Sequence, residues 1–227
     1  MALAVLAAAV AAYTAAAGTL WAAAVWWDVA FFGLVLLPAT FALVWLALPL
    51  QRARGLLPVG VALAALAVLL HLAGLDVAFN LAKLAALVAL GFWFLGWFEA
   101  VSWVVLVAVV IPWVDVLSVW RGPTEYVVEQ KPGVFDRISV AFREPGADSS
   151  ANLGPPDILF FALFLAAAQR FDLRVGWTWA GMTAGLGATI ALAVWGDASG
   201  LPALPAVCIG FLVPNADLLW RRLRHPA

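Results

Sequence analysis

Two acidic residues interrupt the apolar sequence in the second half of this chain. Asp115 lies inside an apolar run, and Asp157 opens the next run directly after Gly154-Pro155-Pro156. A carboxylate in hydrocarbon is energetically expensive and often marks a functional position. A third feature, Pro202-Ala203-Leu204-Pro205, begins the last apolar run. The two aspartates, on either side of one polar loop, therefore suggest a shared site.

The composition indicates a membrane protein that spans the bilayer several times. Of 227 residues, 66% are hydrophobic and only 11% are charged. Runs of about 20 apolar residues, the length that crosses a bilayer as a helix, recur from end to end. The net charge of −1 gives no indication of nucleic-acid binding, so we expect no nucleic-acid partner. The single cysteine, Cys208, offers neither a disulfide framework nor a metal cluster, so we expect no cofactor.

The apolar runs predict an all-α polytopic fold with about eight transmembrane helices. We treat residues 1–227 as a single membrane domain, with scaffold helices in 1–99 and catalytic helices in 100–220. The first run lacks a basic segment before it, which favours a retained span over a cleaved signal. The predicted spans are 1–27, 29–50, 56–75, 77–98, 100–120, 153–171, 175–195 and 201–220.

The basic residues predict how the chain is oriented in a cell membrane. With eight spans, both termini share one face, and the arginines between and after the spans collect on that face. The positive-inside rule then places both termini in the cytoplasm and the 121–156 loop outside. In this topology Asp115, Asp157 and the Pro202–Pro205 segment lie at a similar depth near the outer face. The arginines are Arg52, Arg54, Arg170, Arg174, Arg221, Arg222 and Arg224.

The polar loop contains a pattern typical of a short β-hairpin. Apolar residues alternate with polar ones around Tyr126 and again from Ile138 to Phe142, and Lys131-Pro132-Gly133 is a turn signal between them. We therefore predict a hairpin within 121–143. Residues 144–152 are predicted to form a mobile linker. A strand edge in this loop could hold an extended peptide by β-augmentation.

Two facing carboxylates in a site of low dielectric could catalyse peptide hydrolysis. Both cannot ionise cheaply, so one keeps its proton and the pair titrates as a unit. The ionised member takes a proton from water, the water attacks the peptide carbonyl, and the protonated member polarises the carbonyl oxygen. This mechanism requires neither a metal nor a cofactor. Hydrolysis within a membrane also requires that water reaches the site and that the substrate helix unwinds.

The order of these motifs resembles a known family. An aspartate within a helix, a loop, a Gly-x-x-Asp helix, one further helix and then Pro-Ala-Leu is similar to the intramembrane aspartyl proteases, which include presenilin and signal peptide peptidase. The resemblance covers about 110–215 and suggests a prokaryotic homologue. It implies a catalytic dyad of Asp115 and Asp157 and a transmembrane-helix substrate. It also implies a substrate-binding role for Gly154, Pro156, Pro202, Ala203 and Leu204.

The chain departs from the family pattern at three points. Val114 replaces the tyrosine of the Tyr-Asp motif, and Pro156 replaces the second glycine of the Gly-x-Gly-Asp motif. Glycine allows close backbone approach, whereas proline fixes φ and removes a hydrogen-bond donor. The family usually has nine helices, and this sequence predicts eight.

Two other functions fit parts of the sequence. Pro156 favours a catalytically weak or inactive relative that binds membrane helices or peptides through the same groove. The two aspartates could also form the proton relay of a proton-coupled transporter, but such a transporter is expected to have repeated halves, which the sequence does not show. Asn80 and Lys83, one turn apart, are interpreted as a satisfied polar pair or a snorkelling lysine rather than a transport site. Gly181, Gly185 and Gly187 are expected to allow close helix packing.

Overall fold

A computed structural model describes residues 1–22, 24–121, 132–146, 150–198 and 201–224. These residues form ten α-helices and one small sheet. The helices are α1 (Ala2–Ala16), α2 (Val25–Phe31), α3 (Leu37–Ala47), α4 (Leu56–Leu72), α5 (Asp76–Leu95), α6 (Val101–Arg121), α7 (Pro132–Ile138), α8 (Pro155–Arg170), α9 (Val175–Trp195) and α10 (Leu204–Arg224). The strands are β1 (Val140–Arg143) and β2 (Ser150–Leu153). Short 3₁₀ segments, Ala17–Thr19 and Leu48–Arg52, follow α1 and α3, and a π-helical turn, Phe32–Leu36, joins α2 to α3.

Several helices are compatible with a multi-pass membrane protein. Within the described ranges, five helical segments are long and apolar enough to cross a bilayer: Ala2–Thr19, Val25–Arg52, Asp76–Leu95, Val101–Arg121 and Val175–Trp195. Helix α4 is apolar but shorter, with 17 residues. Helices therefore occur in all eight predicted runs, but the count of eight spans is not confirmed.

The boundary predicted at Asp28 is wrong. Helix α1 and its 3₁₀ extension end at Thr19, and the chain becomes extended at Leu20. The hydroxyl of Thr19 donates to the carbonyl of Ala16 at 2.7 Å and so satisfies a terminal acceptor of α1. Asp28 instead lies in the first turn of α2. Since both sides of the break are apolar, no charged residue marks its position.

The hairpin prediction also requires correction. Pro132-Gly133 begins helix α7 rather than a turn, and Ile138 ends that helix instead of starting a strand. A proline in the first helical turn is compatible with helix formation. The predicted strand around Tyr126, together with Lys131, lies outside the described residues.

The observed sheet pairs β1 with a segment predicted to be a linker. The pairing is antiparallel, with Val140 opposite Leu153 and Arg143 opposite Ser150. Strand β2 therefore overturns the linker prediction at residues 150–152. Val140, Phe142 and Leu153 are buried, so the sheet contributes to the hydrophobic core. Packing against the helices explains how so short a sheet persists.

Helix α8 is the centre of the packed structure. All eight of its residues from Phe161 to Ala168 are fully buried. Phe161 stacks on Phe41 of α3 with ring centroids 3.8 Å apart, and Phe164 stacks on Phe211 of α10 at 4.9 Å. Helices α5, α6, α9 and α10 all contact α8. The part of α8 that follows Asp157 is therefore enclosed by protein on several sides.

Small residues bring α9 and α10 into backbone contact. A Cβ atom added at Gly210 would lie 2.4 Å from the Met182 nitrogen, and one added at Gly181 would lie 2.9 Å from the Gly210 oxygen. Gly185 meets Ala206 in the same way, at 2.9 Å from its oxygen. The expected close packing along α9 is therefore present, and it fixes the start of α10.

Candidate active site

Asp115 lies in the second half of α6 and contacts the start of α10. Its Oδ2 accepts a hydrogen bond from the Leu204 N–H at 3.0 Å, and the Ala203 N–H interacts with the same carboxylate. The first N–H groups of a helix have no partner within that helix. Asp115, on another helix, provides a hydrogen-bond acceptor for these N–H groups of α10. Its negative charge is also favourable at the positive end of the α10 dipole.

Asp157 is the third residue of α8 and contacts the residue that precedes this helix. Its Oδ2 accepts from the Gly154 N–H at 3.1 Å, while its own N–H donates to the Gly154 carbonyl at 3.1 Å. Pro155 and Pro156 occupy the intervening positions and have no N–H groups to compete for the carboxylate. The local sequence therefore folds Asp157 back on Gly154.

The two carboxylates share one environment. Both side chains are half-buried. Helix α6 packs along α10, and α8 contacts both helices. The two aspartates thus belong to different helices that meet near the start of α10.

The other predicted site residues lie around the two carboxylates in different ways. Ala203 and Leu204 meet Asp115 through backbone N–H groups, and Leu204 is buried. Pro202 is half-buried in the extended segment before α10. Pro156 is exposed and takes no part in these hydrogen bonds. The substrate-binding roles implied for these residues stay predictions.

The sequence interpretation missed Cys208 as a neighbour of the site. The side chain of Cys208 is buried on α10, one turn after Leu204, whose N–H bonds to Asp115. The sequence contained one signal: Cys208 follows Leu204 by four residues, a spacing that places two residues on the same face of a helix. The apolar run around Cys208 concealed it.

The sequence assigned Asn80 and Lys83 a structural role but did not identify their partners, which lie on strand β1 and just before it. Asn80 Nδ2 donates to the Ala141 carbonyl at 2.5 Å, and Asn80 Oδ1 accepts from the Ala141 N–H at 2.9 Å. Lys83 Nζ donates to the carbonyls of Ser139 and Arg137. The side chains of α5 therefore hold the strand that pairs with β2, just before Asp157.

This arrangement has two chemical capacities. Each carboxylate stabilises a helix start, which is a structural role. Acid–base hydrolysis would in addition require the two carboxyl groups to approach closely enough to share a proton, directly or through one water. Among the described residues, no group of three histidine, cysteine or acidic side chains is arranged to hold a metal ion.

Comparison with known proteins adds no relative to this description. No family model, curated protein or solved structure matches the chain. The functional argument therefore depends on the residues and their geometry.

Proposed function

We propose that the protein is an intramembrane aspartyl protease that hydrolyses peptide bonds within transmembrane segments. One observation carries this proposal: the Leu204 N–H of the Pro202-Ala203-Leu204 segment donates to Asp115 Oδ2 at 3.0 Å, and Asp157 opens α8, a helix that contacts both α6 and α10. The motif order resembles presenilin and signal peptide peptidase, and this resemblance supports the same activity.

In the proposed mechanism one aspartate is ionised and the other is protonated. The ionised carboxylate takes a proton from water as the water oxygen attacks the scissile carbonyl. The protonated carboxyl donates a hydrogen bond to the carbonyl oxygen, on which negative charge develops. Collapse of the tetrahedral intermediate breaks the C–N bond, and a carboxyl group transfers a proton to the leaving amine. The backbone N–H groups of Ala203 and Leu204 orient the Asp115 carboxylate.

The proposed substrate is a single transmembrane helix that unwinds near the dyad. Peptide bonds within a helix are shielded, whereas an extended segment can pair with the edge of a sheet. Asn80 occupies the outer edge of β1 at Ala141, and β2 forms the opposite edge of the two-stranded sheet. Strand β2 leads through Gly154 to Asp157, so a peptide paired with β2 would lie beside the dyad.

We propose a cell-membrane location with eight spans, cytoplasmic termini and an external 121–156 loop. The arginine-rich end of α10 supports this orientation through the positive-inside rule. The dyad would then lie near the outer face, where water can reach it.

A cleavage assay tests the proposed activity. Purified protein in detergent is incubated with a panel of transmembrane peptides, and products are identified by mass spectrometry. Wild-type protein is expected to cut within the apolar segment, and Asp115→Ala and Asp157→Ala are expected to be inactive. Cleavage that persists in either variant would rule out the dyad.

A non-catalytic binder of membrane helices is the second candidate. The observation that favours it is the capping geometry: Asp115 and Asp157 each bond to a helix start, and Pro156 makes the turn before Asp157 rigid. Binding of the peptide panel without any product in the same assay would support this candidate.

A further inference from the structure

A two-point polar contact outside the candidate dyad joins helix α5 to strand β1. The Asn80 amide makes two hydrogen bonds to one residue, donating to the Ala141 carbonyl at 2.5 Å and accepting from its N–H at 2.9 Å. A neighbouring strand would offer the same donor and acceptor pair. Asn80 therefore acts as a surrogate strand on the outer edge of β1.

This contact also determines how β1 faces β2. Because the N–H and carbonyl of Ala141 point to Asn80, they point away from β2. Ala141 and Asn152, which are opposite one another, therefore form a non-hydrogen-bonded pair, and the flanking pairs Val140–Leu153 and Phe142–Ala151 carry the ladder bonds. A shift of one residue would break the Asn80 contact and expose Val140 and Phe142, which are buried.

Other N-terminal elements hold the same strand. Lys83 Nζ donates to the Ser139 carbonyl, Tyr13 Oη donates to the Arg143 carbonyl at 2.8 Å, and Phe32 packs edge-on against Phe142 with centroids 5.2 Å apart. Tyr13 and Phe32 contribute one bond and one ring, and Lys83 bonds to carbonyls that precede β1. Asn80 makes a two-point contact with the backbone of one residue within the strand.

The strand that Asn80 fixes is directly connected to Asp157. Strand β1 pairs with β2, β2 ends at the buried Leu153, and the next residue, Gly154, donates its N–H to Asp157 Oδ2 at 3.1 Å. Only three residues lie between Leu153 and Asp157 along the chain. A change in β1 would therefore be transmitted to this carboxylate through a short, hydrogen-bonded path.

We infer that Asn80 is a positioning residue for Asp157, acting through the edge of β1 and the β1–β2 register. This inference rests on the proposed protease function for its kinetic consequence, but its structural consequence can be measured without that function. Asn80 does not touch substrate in this scheme.

Amide hydrogen exchange tests the structural consequence. Asn80→Leu has a similar shape and removes both hydrogen bonds, while Asn80→Asp keeps an acceptor for the Ala141 N–H and loses the donor to its carbonyl. Exchange at Ala141 and at Gly154 is expected to rise by about tenfold in Asn80→Leu and by less in Asn80→Asp. Thr189→Val is the matched control, since it removes a side-chain bond to Gly185 within α9 and is expected to change neither amide.

Cleavage kinetics test the functional consequence. Asn80→Leu is expected to lower kcat by about tenfold with KM within about twofold of wild type, because a displaced Asp157 affects the chemical step rather than peptide binding. A variant that merely unfolded would instead lose folded protein, which the melting temperature and the yield detect.

The outcomes separate this inference from the proposed function. Unchanged exchange at both amides overturns the inference. Faster exchange at Ala141 alone also overturns it, because the change in β1 would then have no effect on the Gly154 hydrogen bond. Faster exchange at both amides with an unchanged kcat also overturns it. If wild-type protein cuts no peptide, the proposed function fails, and faster exchange at both amides would still establish the structural link.

Discussion

The two aspartates lie on helices with opposite surroundings. Helix α8, which begins beside Asp157, is fully buried from Phe161 to Ala168. Helix α6, which carries Asp115, directs large side chains away from the protein, with Trp113 71% and Leu117 65% exposed. One carboxylate is therefore attached to the packed core and the other to a peripheral helix.

This difference shows how the site is assembled. Asp157 is fixed by its own helix start and by β2, whereas Asp115 is fixed by a contact with another helix, at Leu204. The close packing of α9 on α10 then determines where Leu204 lies. The outward face of α6 carries exposed apolar side chains, which is consistent with the proposed transmembrane-helix substrate.

Replacing each aspartate by asparagine should have the largest effect on activity. Asparagine keeps an oxygen that can accept the helix-start N–H groups, but it cannot exchange a proton with water. We expect Asp115→Asn and Asp157→Asn each to lower kcat/KM by about 10³-fold or more. Melting temperatures should stay within about 3 °C of wild type.

This pair of variants separates catalysis from capping. If the aspartates serve only as caps, both asparagine variants keep whatever activity the wild type has. A melting temperature that falls strongly in Asp115→Asn but not in Asp157→Asn would show that the carboxylate charge stabilises the peripheral helix.

The next effect concerns the contrast in packing between α8 and α6. Phe161→Ala removes a fully buried ring that stacks on Phe41, so unfolding free energy should fall by about 3–5 kcal/mol. Leu117→Ala, on the exposed face of α6, is the matched control and should change it by less than about 0.5 kcal/mol. Unfolding in mixed detergent micelles measures both. Equal losses would mean that α6 is covered by protein in the membrane.

The sequence predicted the helices well because apolar runs of span length have few alternatives. It also predicted that Asp115 would lie near the Pro202–Leu204 segment, and the Leu204 N–H donates to Asp115. The shared depth of all three segments stays a prediction. It could not locate β2, since Ser150-Ala151-Asn152 has no strand pattern and pairs only because β1 lies beside it. It likewise missed the break at Leu20, where apolar residues continue on both sides.

The role of Asn80 was hidden for a similar reason. A polar residue within a helix signals that a partner exists, but the partner is a backbone 61 residues away. Neither spacing nor charge indicates which backbone that is. Contacts between a side chain and a distant strand depend on the tertiary fold and are visible only in the structure.

A smaller effect concerns the packing that positions Leu204. A methyl group added by Gly210→Ala would meet the backbone of Met182 at 2.4 Å, which no side-chain rotation can relieve. We expect α9 and α10 to separate, with a loss of about 1–3 kcal/mol in stability and a parallel fall in cleavage. Gly187→Ala is the matched control, because its nearest contact, the Gly33 Cα, lies at an ordinary 3.5 Å. A stable Gly210→Ala variant with full activity would show that the packing of α9 on α10 does not determine the geometry of the site.

The smallest expected effect is at Pro156. This exposed residue lies between Gly154 and Asp157, which are joined by two hydrogen bonds. Pro156→Gly frees φ and restores an N–H, so the turn gains flexibility and the unfolded chain gains entropy. Stability should fall by about 1 kcal/mol. The Asp157 carboxyl should leave the Gly154 N–H more often to reach water, so kcat should rise by about two- to fivefold. Pro155→Ala, at the first helical position, is the control for losing a proline without gaining glycine. A lower kcat in Pro156→Gly would mean that rigidity at this turn, rather than freedom, aligns Asp157 with the Asp115 carboxylate on the peripheral helix.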